Sequence, residues 1–286
     1  MMSDPGTLYI VATPIGNLDD ISKRAAEILN DVDLIAAEDT RHSQRLLQSI
    51  QVQTPVVSHH DFSADIAIQR ILDKLEAGGS VALISDAGTP LISDPGYRLV
   101  RLARERNLSV IPIPGASALI TALSVSGLAT DRFTFEGFLP NKAQARQKKL
   151  SLLASEQRTM VFYESTHRIV DSVTDMSVAF GSARLIFIAR ELTKRFESHF
   201  LGSASACVEW LGADANQQKG EFVVIVSGSD AQLEEKRKHE QAMDIVRLLK
   251  QEVSMKKAVS LASQISGARK NLLYEAALKE FAGDER

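Results

Sequence analysis

The stretch VALISDAGTPLISDPG, residues Val81–Gly96, joins a short apolar run to a loop rich in glycine, proline, serine and aspartate. Val81–Ile84 has the length and composition of a buried strand. In the loop, Gly88 lets the backbone approach a ligand closely, and Asp86 and Thr89 supply polar groups. The stretch therefore predicts a strand of an α/β sheet that ends at a ligand-binding edge.

Strand-like and helix-like segments alternate on both sides of this stretch. The predicted strands before Gly115 are Leu8–Ala12, Leu34–Ala37, Pro55–Ser58, Val81–Ile84 and Val110–Ile113. Between the first two, Asp19 and Asp20 are predicted to cap a helix whose apolar side chains lie on one face. Alternation at this spacing predicts a mainly parallel sheet that is covered by helices.

A second region repeats the alternation, and a third contains helices only. The second region's predicted strands are Phe133–Glu136, Thr159–Tyr163, Leu185–Ala189 and Phe222–Val226. The predicted helices of the third are Leu233–Lys250, Ser254–Ile265 and Ala268–Phe281. We therefore predict α/β domains over residues 1–126 and 127–228, and a helical appendage over residues 229–286.

Composition excludes several classes of protein. With 286 residues and 44% hydrophobic content, the chain is long and apolar enough to form two hydrophobic cores. No apolar run has the length of a membrane span. Cys207 is the only cysteine, so an intrachain disulfide is excluded and a reducing, cytoplasmic location is expected. The N-terminus lacks a signal-peptide pattern. A net charge of −3 argues against coating nucleic acid by bulk charge.

Two further loops resemble the one at Ser85–Gly96 in composition. They are Thr13–Leu18 and Pro114–Ala118, and each follows a predicted strand. One such loop is as readily an ordinary turn, but three at one sheet edge favour a shared ligand site. No dinucleotide fingerprint and no P-loop occurs, so the residues alone indicate a small-molecule enzyme with an unusual glycine-loop crevice.

Seven ordered motifs carry the analysis further, because together they resemble the tetrapyrrole methylase family. They are Val11–Leu18, Ala37–Arg41, Ser85–Gly96, Pro114–Ala118, Glu136–Pro140, Ala189–Lys194 and Lys219–Phe222. The resemblance implies two α/β domains with a cleft between them, a homodimer, and S-adenosylmethionine as the methyl donor. Within the family, the matching branch implies 2′-O-methylation of a cytidine in small-subunit (16S) ribosomal RNA, with the assembled 30S subunit as the expected partner.

The resemblance also implies which residues bind the cofactor. By match to the family's loops they are Pro14, Asp86, Ala87, Gly88, Thr89, Asp94, Ser117, Ala118, Tyr163, Ala189 and Glu221. Two places depart from the pattern of this branch. Thr166 stands where proline is expected, and His59–Phe62 differs from the expected acid-and-asparagine stretch, which leaves the role of that loop open.

The candidate catalytic residues follow the strand Leu34–Ala37. Glu38 and Asp39 are candidates for orienting or deprotonating the ribose hydroxyl, and Arg41 is a candidate partner for a phosphate or for the carboxylates. A structural salt bridge with a helix cap explains any single one of these residues equally well.

The segment Asn141–Lys149 is the candidate RNA-binding surface. It contains Lys142, Arg146, Lys148 and Lys149 and no acid. Residues 142, 146 and 149 share one helical face, which predicts a phosphate clamp, although a solvated face is the commoner fate of such a run. Arg168, Lys194 and Arg195 are possible neighbours, and the helical appendage is a further candidate.

No metal site is expected. His59 and His60 precede Asp61, but adjacent residues on a strand point to opposite faces, which suits chelation poorly.

Two rival functions stay open. One is methylation of a small molecule such as a tetrapyrrole. The basic run and the helical appendage favour RNA over such a substrate. The other is a non-catalytic RNA-binding or ribosome-assembly module, against which the intact Asp86–Pro90 loop argues.

Overall fold

The computed structural model describes residues 6–59 and 65–281 and forms two α/β units followed by three helices. The strands of the first unit are β1 (Thr7–Val11), β2 (Leu34–Ala37), β3 (Val56–Ser58), β4 (Val81–Ile84) and β5 (Ser109–Ile113). Its helices are α1 (Lys23–Asp31), α2 (Thr40–Ser49), α3 (Asp65–Glu76) and α4 (Tyr97–Glu105). The predicted strands are thus confirmed, with small shifts at their ends.

The first sheet is parallel throughout, in the order β3-β2-β4-β1-β5. β4 is buried along its whole length, and its side chains alternate between two cores. Val81 and Leu83 pack into one core and Ala82 and Ile84 into the other. A parallel strand that is covered on both faces needs such a continuous apolar run, so the prediction from Val81–Ile84 is confirmed.

The start of α1 differs from the prediction. Ser22 caps this helix, since its hydroxyl accepts a hydrogen bond from the Ala25 backbone N–H. Asp19 and Asp20 instead belong to a short 3-10 turn that Asn17 caps. The predicted cap at Asp19–Asp20 is wrong, because these two residues form the 3-10 turn and the helix begins only after Ser22.

The second unit has a mixed sheet. Its strands are β6 (Phe133–Phe138), β7 (Thr159–Ser165), β8 (Leu185–Arg190), β9 (Ser198–Ser203) and β10 (Glu221–Val226), and its helices are α6 (Ala143–Leu153), α7 (Ile169–Phe180) and α8 (Ala204–Ala213). The sheet order is β6-β7-β10-β8-β9, in which only β6 and β7 pair in parallel. The second region therefore does not repeat the parallel arrangement of the first. A loop joins β8 to β9, and without a crossover helix these two strands pair antiparallel.

A helix between the two sheets joins their cores. This helix, α5 (Ala118–Val125), buries Leu119, Ala122 and Leu123 against the second sheet. Ile15, from the first unit, belongs to the same cluster. The boundary at residues 126 and 127 stays a prediction, while α5 packs with the second sheet that follows it in the chain.

The chain after β10 forms α9 (Ala231–Leu249), α10 (Met255–Ser266) and α11 (Lys270–Phe281). The three helices bury a core of their own that includes Val246, Val259 and Leu273. Gly267 ends α10 in the left-handed conformation, with φ of 72°. The predicted helical appendage is confirmed. None of the helices in the described ranges is long and apolar enough to cross a bilayer.

Candidate active site

A cavity of about 700 Å³ lies where the loops after β1, β2, β4 and β5 face the second sheet. Its volume is within the range of small-molecule sites. Of the predicted cofactor-binding residues, all but Pro14 line it: Asp86, Ala87, Gly88, Thr89, Asp94, Ser117, Ala118, Tyr163, Ala189 and Glu221. The structure thus brings together residues that are far apart in the sequence.

Pro14 is buried beside the cavity, and its neighbours hold the β4 loop in place. The Thr13 backbone N–H donates to the Gly88 carbonyl at 2.8 Å, and the Gly88 N–H donates to the Thr13 carbonyl at 3.0 Å. The Thr13 hydroxyl donates to the Ser85 carbonyl at 3.2 Å. The loop after β1 therefore supports the cavity wall, and Ile15 of this loop lines the cavity.

The β4 loop adopts a backbone that most residues avoid. Gly88 has φ of 85°, and Leu91 and Ser93 have φ of 75° and 67°. Left-handed conformations cost a non-glycine residue about 1–2 kcal/mol and persist only where surrounding contacts impose them. The Thr89 hydroxyl provides one such contact by donating to the Ala116 carbonyl at 3.0 Å.

Tyr163 forms the aromatic part of the wall. Its hydroxyl accepts a hydrogen bond from the Leu119 N–H at 3.2 Å, and the rings of Phe135 and Phe138 meet its ring edge-on at 4.8 and 5.7 Å. Burial raises the pKa of the Tyr163 phenol, outweighing the opposite effect of the Leu119 hydrogen bond. The phenol is therefore neutral at physiological pH, which suits packing rather than proton abstraction.

An ion-paired cluster from the second unit lines the cavity. Lys194 Nζ lies 3.1 Å from Glu191 Oε1 and 2.8 Å from Glu221 Oε2. Burial by itself would raise the pKa of Glu191, but hydrogen bonds from the Glu221 N–H and Lys194 outweigh it and lower that pKa. Lys194, a possible neighbour of the RNA clamp, is thus engaged with two carboxylates. Its stem also crosses Gly16, where a Cβ atom would lie 2.5 Å from Lys194 Cγ.

The three candidate catalytic residues separate into two groups. Glu38 lines the cavity, and its Oε2 accepts a hydrogen bond from the Asp86 N–H at 3.3 Å. Asp39 caps α2 by accepting from the Arg41 N–H at 2.8 Å, and its carboxylate pairs with the Arg41 guanidinium at 3.3 Å. Hydrogen bonds from Arg41 lower the pKa of Asp39. Neither Asp39 nor Arg41 is on the lining, and the contacts of their side chains are those of a helix cap, while the Asp39 N–H donates to Asp86 Oδ1 at 3.1 Å.

The basic run is not a uniform cationic face. Arg146 is 4% exposed, and its Nε donates to Asp175 Oδ2 at 2.7 Å. Lys149 Nζ donates to the Glu136 carbonyl at 2.8 Å and lies 3.4 Å from Glu136 Oε2. The predicted free face of residues 142, 146 and 149 is therefore wrong at Arg146, because α6 turns that side chain onto α7. Lys142 and Lys148 are exposed.

The loop after β7 contributes contacts that the sequence did not reveal. The Thr166 hydroxyl donates to the Gly220 carbonyl at 2.7 Å and accepts from the Gly220 N–H at 2.9 Å. The Thr166 hydroxyl therefore ties two walls of the cavity together, and proline at this position would lack it. Thr166 was visible in the sequence, but its partner Gly220, just before β10, was not.

Of the histidines considered as metal ligands, His59 is buried and follows β3, while His60 and Asp61 lie outside the described residues. Across residues 6–59 and 65–281, no three potential metal-ligating side chains form a group.

Comparison with known families matches most of the chain. Residues 7–208 match the model of Tetrapyrrole (Corrin/Porphyrin) Methylases, and residues 238–280 match the RsmI C-terminal HTH domain. Two solved structures share the fold of the α/β units. A cobalt precorrin-4 methyltransferase has a TM-score of 0.55 at 15% identity, covering 77% of this chain and 94% of that one. A diphthine synthase has 0.58 at 13%, covering 78% and 90%.

Curated relatives resemble the chain over nearly its full length. The Ribosomal RNA small subunit methyltransferase I of Pseudomonas aeruginosa is 49% identical over 274 residues, which cover 96% of this chain and 97% of the relative. The protein of the same name from Escherichia coli O157:H7 is 48% identical over 275 residues, covering 96% of each chain.

Proposed function

Because the chain belongs to the tetrapyrrole methylase family, we propose that it transfers a methyl group from S-adenosylmethionine to the 2′-hydroxyl of a cytidine in small-subunit (16S) ribosomal RNA. The near full-length similarity to proteins named for methylation of this RNA is the observation that carries the proposal. The match of the helical appendage to a domain of the same branch supports it.

The cavity fits the proposed methyl donor in size and charge. S-adenosylmethionine carries a sulfonium and an ammonium, and carboxylates are the natural partners of both. Asp86 and Asp94 of the glycine-rich loop lie on the lining, and Tyr163 adds an aromatic surface to it. Gly88, with φ of 85°, leaves this part of the wall without a side chain. This combination suits a cationic ligand with a flat purine ring.

The chemistry requires alignment more than a strong base. The donor supplies an electrophilic methyl carbon, and the chain's residues hold the acceptor hydroxyl in line with it, which accounts for about 7–11 kcal/mol in well-aligned reactions. Glu38 is the candidate for orienting that hydroxyl, because it alone of the three candidate catalytic residues lies on the cavity. Asp39 and Arg41 would then act indirectly, by fixing the start of α2.

The proposal extends to the partners. The assembled 30S subunit is the proposed substrate, in the cytoplasm, and the active form is a homodimer. Lys142 and Lys148 remain candidates for phosphate contacts, since both are exposed. Such contacts supply affinity and orientation without sequence choice.

Two measurements test the function. Calorimetry should detect binding of S-adenosylmethionine to the purified chain, and mass mapping should find a cytidine 2′-O-methyl group in 16S ribosomal RNA only from cells that contain the chain. Unchanged 2′-O-methylation with normal cofactor binding would favour a small-molecule methyltransferase. Absence of cofactor binding would favour a non-catalytic RNA-binding module.

Glu38→Gln and Asp39→Asn should separate the candidate catalytic residues. We expect Glu38→Gln to lower kcat about 100-fold, within the range of a lost acid–base or orienting group. Asp39→Asn should keep kcat within about twofold, because asparagine caps a helix as well as aspartate does. Single-turnover methylation of small subunits at saturating cofactor measures both. Equal, full turnover of the two variants would instead support positioning by the cleft alone.

A further inference from the structure

The further inference concerns Phe138, which lines the cavity although half of its side chain is exposed. Covering an exposed phenyl ring at a ligand site with a bound apolar or aromatic group is favourable. The residues already assigned to the donor and the acceptor hydroxyl do not include it.

A β-bulge turns Phe138 toward the cavity. In the pairing of β6 with β7, Phe135 lies opposite Val161 but Gly137 lies opposite Phe162, so Glu136 is an extra residue. Gly137 accommodates the bulge with φ of 64°. Bulges next to active sites commonly redirect a side chain.

The two faces of β7 show what the bulge changes. Met160 and Phe162 belong to the core on one face of the sheet, whereas Val161 and Tyr163 belong to the cluster on the face toward α5 and the cavity. With regular alternation, Phe138 would share the face of Thr134, which pairs with Met160. With the bulge, Phe138 pairs with Tyr163 and faces the cavity.

Arg168 makes this ring a rigid platform. Its guanidinium carbon lies 5.9 Å from the centre of the Phe138 ring. Its NH1 donates to the Leu139 carbonyl at 3.0 Å, and its Nε lies 3.3 Å from Glu164 Oε2. A guanidinium held by several groups fixes the ring beside it, and its charge is balanced by the buried Glu164 carboxylate.

We infer that Phe138 is the stacking surface for a nucleobase, and that it receives the base of the acceptor cytidine once this base is unstacked from its neighbours. Proteins that read single-stranded RNA stack bases on aromatic rings and on arginine planes, and both are present side by side here. A ribose whose base is held on Phe138 would be anchored at the cavity. The inference rests on the proposed function.

The test compares four variants in cofactor binding and in methyl transfer to unmethylated small subunits. Loss of one stacking contact corresponds to about a 10- to 100-fold effect. We expect Phe138→Ala to lower kcat/KM for the subunit about 10- to 100-fold, chiefly through KM, with the Kd for S-adenosylmethionine changed less than about twofold. Phe138→Tyr should retain activity within about threefold, and Phe138→Leu, which is apolar but has no π-face, should resemble Phe138→Ala.

Phe133→Ala is the matched control, because Phe133 is a partly exposed phenylalanine at the other end of the same strand and off the cavity lining. It should behave as the wild type. Wild-type kinetics for Phe138→Ala would overturn the inference alone. So would a loss of cofactor affinity in that variant, which would assign the ring to the donor's adenine. A wild-type chain that methylates no RNA would overturn the proposed function, and the inference with it.

Discussion

Replacement of Gly88 by valine is expected to reduce the affinity for S-adenosylmethionine by about 100-fold or more, equivalent to about 2.8 kcal/mol. Gly88 has φ of 85°, which a β-branched residue adopts only with strain. A Cβ atom there would lie 3.3 Å from Ile15 Cγ2 and 3.7 Å from the Ala116 carbonyl oxygen. The strain at this φ and the added methyl groups are therefore expected to displace the loop, which carries Asp86, Ala87 and Thr89.

The control for this prediction is Gly267→Val. Gly267 has a similar φ of 72°, but a Cβ atom there meets nothing within 4 Å, and the residue lies in the helical appendage. Both variants should lose a comparable amount of stability from backbone strain, about 1–2 kcal/mol. Calorimetry should show that only Gly88→Val loses the cofactor. The affinity of the milder Gly88→Ala for S-adenosylmethionine should lie between those of the two valine variants. Normal affinity in both Gly88→Val and Gly88→Ala would contradict the location of the site.

Arg146→Met is expected to lower the free energy of unfolding by about 3 kcal/mol, the lower end of the range for a broken buried ion pair. The side chains of Arg146 and Asp175 are 5% and 13% exposed, and Nε and Oδ2 are 2.7 Å apart. Without the guanidinium, the described residues leave Asp175 the hydrogen bond from Gln147 Nε2 at 2.9 Å. A thermal melt should show a decrease of roughly 6–12 °C for a chain of this size.

Two companion variants identify the cause. Lys142→Met removes an exposed charge from the same helix region and should change the unfolding free energy by less than about 0.5 kcal/mol. Asp175→Leu combined with Arg146→Met should recover much of the lost stability, because no unpaired charge then remains buried. A stable Arg146→Met chain that binds small subunits weakly would instead restore Arg146 to the predicted phosphate clamp.

The first sheet and its cavity edge were predictable because each rests on local sequence and a topological rule. Apolar runs such as Val81–Ile84 identify strands that are covered on both faces. Intervening amphipathic segments make the connections helical, which makes the sheet parallel and collects the loops at one edge. The family motifs then assigned those loops to one cavity, and all the predicted cofactor residues except Pro14 line it.

The second sheet was less predictable because antiparallel order does not follow from alternation. β9, Ser198–Ser203, has half-buried and exposed positions only and lacks a strong apolar signal. It joins the sheet because the short loop after β8 returns the chain beside that strand. Its pairing depends on a neighbour rather than on its own composition.

The amino-acid sequence by itself determined the strands of the first sheet, the helical appendage and the glycine-rich loops, because these depend on periodicity and on residues a few positions apart. Tertiary structure decided what individual polar and aromatic side chains do. Arg146 is part of a basic run in the sequence, yet it forms a buried ion pair with Asp175 on another helix. Phe138 reaches the cavity only because one extra residue in β6 reverses its face. Both outcomes depend on partners that lie at least 20 residues away, Asp175 for Arg146 and Tyr163 for Phe138, and packing brings these together where local pattern does not.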